Sequence, residues 1–471
     1  MTRKEKIVRP RLIGVSSLRK GPFYTVASVE LGNTTTKCIL VTTNLETAEI
    51  YEIEKEIRLT RDVRPPRRDE QIFGRTIFGV DLTRDSVSEM VSDVLNAVLK
   101  RARLDIEHDL HFVVRSTGVT AGFASPEEVG VIVQALADGC LNAGVPPRKM
   151  TASLSPENLP PGLQDYTWLK KVYFDGAVAS SLPPSDTDIV ANEMEGELVT
   201  AGIKGAAKST NIDFRNPVMT LDFGTTLAGR ITDNGFPYAN TIGSFAGLAG
   251  AIPDSLVRLS GLVPEANGSV LDIPLSGRMK GVEIDEDWVL EANRHIRVER
   301  IGKSVTRFGT VPVNGKSAEK SGVLLIGVDV GNNGSKLKEL EKLGMVIMEE
   351  AGIDALLTVI DHIQAKIVQR IVSIVDSESL LFADTSLGLT GRSIITGQKP
   401  TLIVDSLRLN NNELWVSSHD LLFVEDGLAM GAAVAARCMN SMGTTRNPMG
   451  GRKGDKCVMN ERMKLQKKGR G

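Results

Sequence analysis

Three apolar runs open the chain, at Tyr24–Leu31, Lys37–Thr43 and Ala48–Ile53, with the β-branched content of strands. Short turns at Gly32–Thr36 and Asn44-Leu45-Glu46-Thr47 separate them, so they predict a meander. After an Arg/Pro-rich loop (Arg61–Arg68), residues Val87, Met90, Val91, Val94, Leu95 and Val98 fall at helical spacing. His111–Arg115 predicts a strand ending at Ser116-Thr117-Gly118. Ser125-Pro126-Glu127-Glu128 has capping-box spacing with proline at the first helical position, and starts a helix running to about Asn142. A further helix is expected from Asp186 to Lys208.

The second half repeats the opening. Val218–Asp222, Ala228–Thr232 and Tyr238–Ile242 again predict three short strands, and a Gly/Ala-rich helix is expected over Phe245–Leu259. Glu265–Lys320 has weak, mixed periodicity and is expected to be an inserted subdomain. Val323–Val330 is continuously apolar, the mark of a buried strand. The Gly331-Asn332-Asn333-Gly334-Ser335 stretch after it predicts a tight turn into a helix. One long helix carries Leu356, Leu357, Ile360, Ile363, Ile367, Ile371 and Ile374. A strand near Ser386–Leu389 enters Thr390-Gly391-Arg392, and Asp426 caps a small-residue helix through Ala429, Gly431, Ala432, Ala433 and Ala436.

Both halves begin with the same chemistry. The first strand ends at Glu30 and runs into Gly32-Asn33-Thr34-Thr35-Thr36-Lys37; the later one ends at Asp222 and runs into Phe223-Gly224-Thr225-Thr226. A turn of glycine and hydroxyl residues presents N–H and O–H groups together, which cradles phosphate oxygens, and a neighbouring carboxylate suits a hydrated cation. Two such turns, about 190 residues apart and each opening a strand-rich segment, point to a duplicated α/β fold closing on a nucleotide from both sides.

Composition narrows the reading. A chain of 471 residues accommodates two domains, and 24% charged residues with 41% hydrophobic is ordinary for a globular protein. Aromatics at 4% provide little for stacking on single-stranded nucleic acid, so no specific nucleic-acid role is expected. No apolar run reaches the roughly 20 residues of a membrane span, and no secretory signal opens the chain, so a cytoplasmic protein is expected. The net charge is −2, yet Met1–Lys20 and Thr444–Gly471 are both strongly basic, which leaves an acidic body. The Gly-rich tail predicts a disordered, solvated segment. Cys38, Cys140, Cys438 and Cys457 form no Cys-x-x-Cys pair and are expected to be reduced structural thiols. The alternative is an iron–sulfur cluster shared by Cys140 across a homodimer. The five histidines lack zinc-ligand spacing.

The ordered set of motifs resembles the superfamily of actin, sugar kinases and heat-shock chaperone ATPases. It comprises strand-acid-x-Gly-x-Thr-Thr, strand-Asp-x-Gly-Thr-Thr, strand-x-Gly-x-Thr-Gly and a final Asp-Gly-x-Ala-x-Gly-Ala-Ala helix, over roughly Tyr24–Asn440. The Gly-Asn-Thr-Thr-Thr-Lys turn and the Arg115–Gly122 run are similar to the activase branch, and most of all to the methanogenesis marker protein 14 family. The resemblance implies two actin-like (ribonuclease H-like) ATPase domains with a nucleotide cleft between them. Domain I would span 22–216 after a basic arm at 1–21. Domain II would span 217–425 with the insertion near 265–320, before a C-terminal helix at 426–443 and the tail at 444–471.

By the same resemblance, Gly32, Asn33, Thr34, Thr35 and Lys37 form one phosphate loop and Gly224, Thr225 and Thr226 the other. Gly388, Thr390, Gly391 and Arg392 lie beside the adenosine. Glu30 and Asp222 hold Mg²⁺ through water, and Glu193 or Asp222 orients the attacking water. The superfamily usually has Asp where this chain has Glu30. The extra methylene moves the carboxylate by about 1.5 Å, a shift that can cost about 100-fold in a positioned reaction. A slow ATPase acting on a partner metalloenzyme of methanogenesis, dependent on nickel tetrapyrrole or corrinoid, is therefore expected. A small-molecule kinase and a non-catalytic nucleotide-gated scaffold are the alternatives.

Overall fold

The structure is a computed structural model that describes residues 7–123, 125–150, 177–179, 191–235, 239–274 and 281–442. The basic tail, Trp168 and Cys457 lie outside these residues, as does the start of the helix expected from Asp186.

Strands β1 (Ile7–Val8), β2 (Arg11–Leu12), β3 (Phe23–Leu31), β4 (Thr35–Asn44) and β5 (Ile50–Leu59) open the fold. A small pair, β6 (Ile72–Arg75) and β7 (Asp81–Thr83), follows, then β8 (Phe112–Thr117) and β9 (Ala177–Ala179). One sheet has the order β2-β5-β4-β3-β8-β9. Within it β3, β4 and β5 are antiparallel, β8 runs parallel to β3, and β9 parallel to β8. Helices Arg84–Ala102 and Pro126–Asn142 pack on it, as does the last helix, Gly427–Met442. This explains why β3 reads as an almost unbroken apolar run, with Val26, Ala27, Val29 and Leu31 fully buried. The Ser125 cap forms as its spacing requires: Ser125 Oγ accepts from the Glu128 N–H at 3.4 Å, and the Ser125 N–H donates to Glu128 Oε2 at 3.2 Å.

The second sheet uses β10 (Val218–Phe223), β11 (Leu227–Thr232), β12 (Thr241–Gly247) and β13 (Ile296–Arg300). After a small hairpin, β14 (Arg307–Phe308) and β15 (Val311–Pro312), it is completed by β16 (Leu324–Val330), β17 (Ser386–Thr390) and β18 (Leu421–Val424). Its order is β1-β18-β17-β10-β11-β12-β16-β13. Here β10, β11 and β12 are antiparallel, β17 runs parallel to β10, and β18 parallel to β17. The run β5-β4-β3-β8-β9 and the run β12-β11-β10-β17-β18 thus have the same order and the same directions.

Several elements differ from the sequence reading. Phe245–Gly247 is strand, because β16 pairs with it from Gly243 to Gly247, and the helix begins only at Ala251. Ile296–Arg300, expected within an inserted subdomain, completes the main sheet as the antiparallel neighbour of β16. The long helix Leu337–Ser377 is broken at Gly352, whose φ is 79°. The turn after β16 is closed on itself. Asp329 accepts from the N–H groups of Val330 (2.7 Å), Asn333 (2.8 Å) and Gly334 (2.9 Å) and from Arg297 Nη2 (2.9 Å). Within the segment expected as a basic arm, Ile7–Val8 pairs with the second sheet, Arg11–Leu12 pairs with the first, and Val15–Leu18 is a short helix.

Two helices join the halves. Glu193–Ala207 packs on the second sheet, Gly427–Met442 on the first, and they cross each other at glycines. A Cβ on Gly202 would lie 1.8 Å from the Gly427 carbonyl oxygen, and one on Gly431 would lie 1.9 Å from that of Leu198. Only glycine permits so close a crossing.

Candidate functional site

The two acids occupy equivalent places. Glu30 is the penultimate residue of β3, between Lys37 on antiparallel β4 and Ser116 on parallel β8. Asp222 is the penultimate residue of β10, between Ala228 on antiparallel β11 and Thr390 on parallel β17. Each following turn is held by backbone bonds. In the first, the Gly32 N–H donates to Thr35 O (2.9 Å), and Thr60 donates its N–H to Thr34 O (2.9 Å) and its hydroxyl to Gly32 O (2.7 Å). In the second, the Gly250 N–H donates to Gly224 O (2.7 Å), and the N–H groups of Ala249 and Ala251 donate to Thr225 O (3.1 Å).

The turns meet. Thr34 Oγ1 lies 2.9 Å from Thr225 Oγ1 and donates to Asp254 Oδ2 at 3.2 Å, which leaves Thr225 as the donor to Thr34. Arg61 reinforces this contact between the halves with a two-pronged pair to Asp272 (2.6 and 2.5 Å). Arg307 does so from the other side by donating to the carbonyls of Ala121 (2.7 Å) and Phe123 (2.5 Å).

Beneath the turns lies a carboxylate-rich floor. Lys37 Nζ pairs with Glu30 Oε2 at 2.9 Å. Burial lowers the Lys37 pKa, but Glu30, Asp426 and Asp222 outweigh it and hold the ammonium above the usual lysine value. Burial pushes Asp222 up; Lys37 opposes, Glu30 and Asp426 add, and the carboxyl reaches about 7. Glu195 is raised well above the carboxylate range by burial, then by Asp222 and Glu30. Its Oε2 is buried and has no hydrogen-bond partner. Burial also raises Asp254, against hydrogen bonds from Ser269 Oγ (2.7 Å), the Val270 N–H (3.0 Å) and Thr34.

Glu195, the acid that reaches this floor, escaped the sequence reading, which named Glu193. Residues two apart on an α-helix point about 200° apart. The Glu193 carboxylate turns back to accept the Ala191 N–H at 2.8 Å, and Glu195 faces the cluster. Glu195 shares a face with Leu198, Val199 and Gly202, the face buried against the crossing helix, and that register was the available signal.

The other expected residues divide. Thr34, Thr35, Lys37 and Thr225 are partly exposed, Gly224 is open to solvent, and Thr226 is buried. Asn33 is spent on structure: its Nδ2 donates to Gly118 O, and its Oδ1 accepts from the Ile77 N–H, both at 2.9 Å. Gly388 packs inside the sheet against Ile203 and Phe214, away from the strand end. The Thr390 hydroxyl donates to Val424 O (2.6 Å) and accepts from the Gly427 N–H (3.2 Å). Gly391, at φ 93°, lies directly against Asp222: an added Cβ would be 2.5 Å from its Oδ1. Arg392 is exposed and begins a short helix.

Among the described residues no three acidic, histidine or cysteine side chains could hold a metal ion directly. The buried, orphaned Glu195 oxygen beside Asp222 and Glu30 is an acceptor that would suit a cation-bound water. Cys140 is fully buried, and burial raises its thiol to about 12, which removes it from any surface where two copies would share a cluster. Among the described residues no helix is long and apolar enough to cross a membrane.

The model of a family described as "Uncharacterized protein conserved in archaea" (DUF2114) matches residues 23–466. An uncharacterized protein of Methanocaldococcus jannaschii is 49% identical over 468 residues, covering 99% of this chain and 96% of that one. One of Methanothermobacter thermautotrophicus is 51% identical over 458 residues, covering 96% of this chain and 84% of that one. Among solved structures, a reductive activator for corrinoid, iron–sulfur protein matches with a TM-score of 0.32 and 9% identity. The match covers 88% of this chain and 60% of that one.

Proposed function

The chain belongs to this archaeal family, and we propose that it binds ATP with Mg²⁺ between its two acid-glycine-threonine turns and hydrolyses it slowly to drive a change in a partner protein. The observation that carries the reading is the 2.9 Å contact of Thr34 with Thr225. It brings together, from opposite halves, the turns that follow equivalent acids on equivalent strands. The repeated strand order favours two actin-like domains, and Gly32–Lys37 and Gly224–Thr226 would enclose the phosphates. Opening the Thr34–Thr225 contact frees both hydroxyls for phosphate oxygens, and Lys37 is placed to exchange its bond to Glu30 for one to a phosphate. Glu30 and Asp222 would hold the hydrated Mg²⁺, which supplies charge neutralisation for the leaving phosphate. Glu195, in the place assigned above to Glu193, would orient the attacking water and accept its proton at the buried Oε2, which has no hydrogen-bond partner. Gly391 and Arg392 would flank the nucleoside.

The partner is proposed to be a methanogenesis metalloenzyme, dependent on nickel tetrapyrrole or corrinoid. The relatives from two methanogens and the likeness to methanogenesis marker protein 14 support this.

The test is calorimetric titration of Mg·ATP into the native chain and the Asp222→Ala variant, with phosphate release followed in the same samples. Micromolar binding that disappears in the variant, with slow release that needs no acceptor, is the expected result. ADP formed without free phosphate, with the phosphoryl group found on a metabolite acceptor, would indicate a kinase, and binding without turnover a scaffold. No binding by the native chain would refute the nucleotide reading.

A further inference from the structure

Ser116 stands in one half where Thr390 stands in the other. Ser116 lies on β8 between Glu30 of β3 and Val178 of β9, and Thr390 on β17 between Asp222 of β10 and Val424 of β18. Their hydroxyls fare differently. Thr390 is spent: it donates to Val424 O (2.6 Å) and accepts from the Gly427 N–H at the start of the last helix (3.2 Å). Only two residues separate β18 from that helix, so the first helical N–H falls on the strand end. Thirteen residues separate β9 from the connecting helix, and Ser116 receives no such bond. Its Oγ is buried, with the residue 4% exposed, and has no hydrogen-bond partner.

The register fixes which way this hydroxyl points. Residues paired across adjacent strands share a face of the sheet, so Ser116, Glu30 and Lys37 project together. Arg115 projects to the opposite face, where its Nη1 donates to Val133 O (3.4 Å) on the helix Pro126–Asn142. On the Ser116 side stand the groups of the floor. Lys37 pairs with Glu30 at 2.9 Å, and the buried Glu195 carboxyl is within reach of the charges of Asp222, Glu30 and Lys37. Two unpaired buried oxygens, Ser116 Oγ and Glu195 Oε2, therefore lie around Glu30. Buried polar atoms are almost always paired, and two orphans around one carboxylate mark a place for a small polar guest.

We propose that the guest is the water that attacks ATP and that Ser116 holds it; the inference rests on the hydrolysis proposed above. A water has two hydrogens. Glu195 Oε2 accepts the one that leaves as a proton, Ser116 Oγ accepts the other, and a lone pair of the water oxygen is left to face the γ-phosphorus. As the new P–O bond forms, the bond from the γ-phosphorus to the leaving ADP oxygen breaks, and the proton rests on Glu195. Ser116 transfers no proton. Its own hydrogen is donated to Glu30, which keeps a donor when Lys37 moves to a phosphate. Fixing both hydrogens before reaction is the orientation that makes a positioned nucleophile faster than a free one.

The test compares the full native chain with Ser116→Ala, Glu195→Gln and the double variant. The readouts are calorimetric titration of Mg·ATP, single-turnover phosphate release, and urea unfolding without nucleotide. Ser116→Ala is expected to release phosphate about 10–100-fold more slowly, with Mg·ATP binding unchanged within about twofold. Its urea midpoint should stay or rise, because alanine removes an unpaired buried hydroxyl, whereas loss of a serine that merely supports the fold would lower it. In the Glu195→Gln background the same substitution should change the rate by less than about twofold, since both residues act on one water. A native rate in Ser116→Ala, a fall in its midpoint, or a full further loss in the double variant would overturn the inference. A native chain that releases no phosphate defeats the hydrolysis reading together with this inference; native release matched by Ser116→Ala defeats this inference alone.

Discussion

Asp222→Asn is expected to stabilise the nucleotide-free protein at alkaline pH while ending nucleotide binding. Asp222 is 7% exposed, and its carboxyl is raised from 3.8 to about 7 by burial, with Lys37 opposing and Glu30 and Asp426 adding to the rise. That is roughly three units at about 1.4 kcal/mol each, so ionised Asp222 costs the fold about 4 kcal/mol. Between about pH 4 and pH 7 the folded chain keeps a proton that the unfolded chain has released, so stability falls as pH rises through this window. The full cost is present above pH 7. Asparagine keeps the shape and removes the charge, and Lys37 still has Glu30 at 2.9 Å. Urea unfolding at about pH 5 and pH 8, for native and variant chains, reads the difference. The native protein should lose stability between the two, and the variant should be the more stable one at the higher pH by an amount approaching that cost. Its residual slope should be shallower, because Glu195, also raised, titrates in the same direction but is relieved of the Asp222 charge. A native protein equally stable at both values, or a variant weaker than native at pH 8, would refute the account of the floor.

Four further outcomes are expected. Glu195→Gln should slow phosphate release about 100-fold or more, whereas Glu193→Ala should leave the rate nearly unchanged and cost stability of about 1 kcal/mol from the lost Ala191 bond; single-turnover kinetics and urea melts separate the two. A double-mutant cycle of Thr34→Val and Thr225→Val should show a coupling of about 1 kcal/mol in unfolding free energy, and a coupling of zero would mean that the contact is not made in solution. Gly391→Ala should cost about 1–3 kcal/mol, because φ is 93° and the new Cβ meets Asp222, and calorimetry should show weakened nucleotide binding with it. Cys38 and Cys140, buried and with raised thiol pKa values, should resist alkylation in the folded protein and react only after unfolding, as read by residue-resolved mass spectrometry.

What the sequence alone determined was local. The meander runs, the Ser125 capping box and the two acid-glycine-threonine turns depend on neighbours a few residues away, where spacing and turn chemistry decide the backbone. Their repetition also pointed to equivalent acids at Glu30 and Asp222. Contacts between distant segments were decided only by the tertiary structure. Phe245–Gly247 became strand and Ile296–Arg300 joined the main sheet because β16 supplied a ladder that no periodicity encodes. Ile7–Val8 and Arg11–Leu12 joined different sheets because two sheet edges lay within reach. Glu195 rather than Glu193 reached the floor because the crossing of two helices at Gly202 and Gly431 fixed the rotation of the connecting helix. Hydrogen-bonding period and turn geometry are written residue by residue, whereas which edges pair and which helix face turns inward depend on the packing of the whole chain.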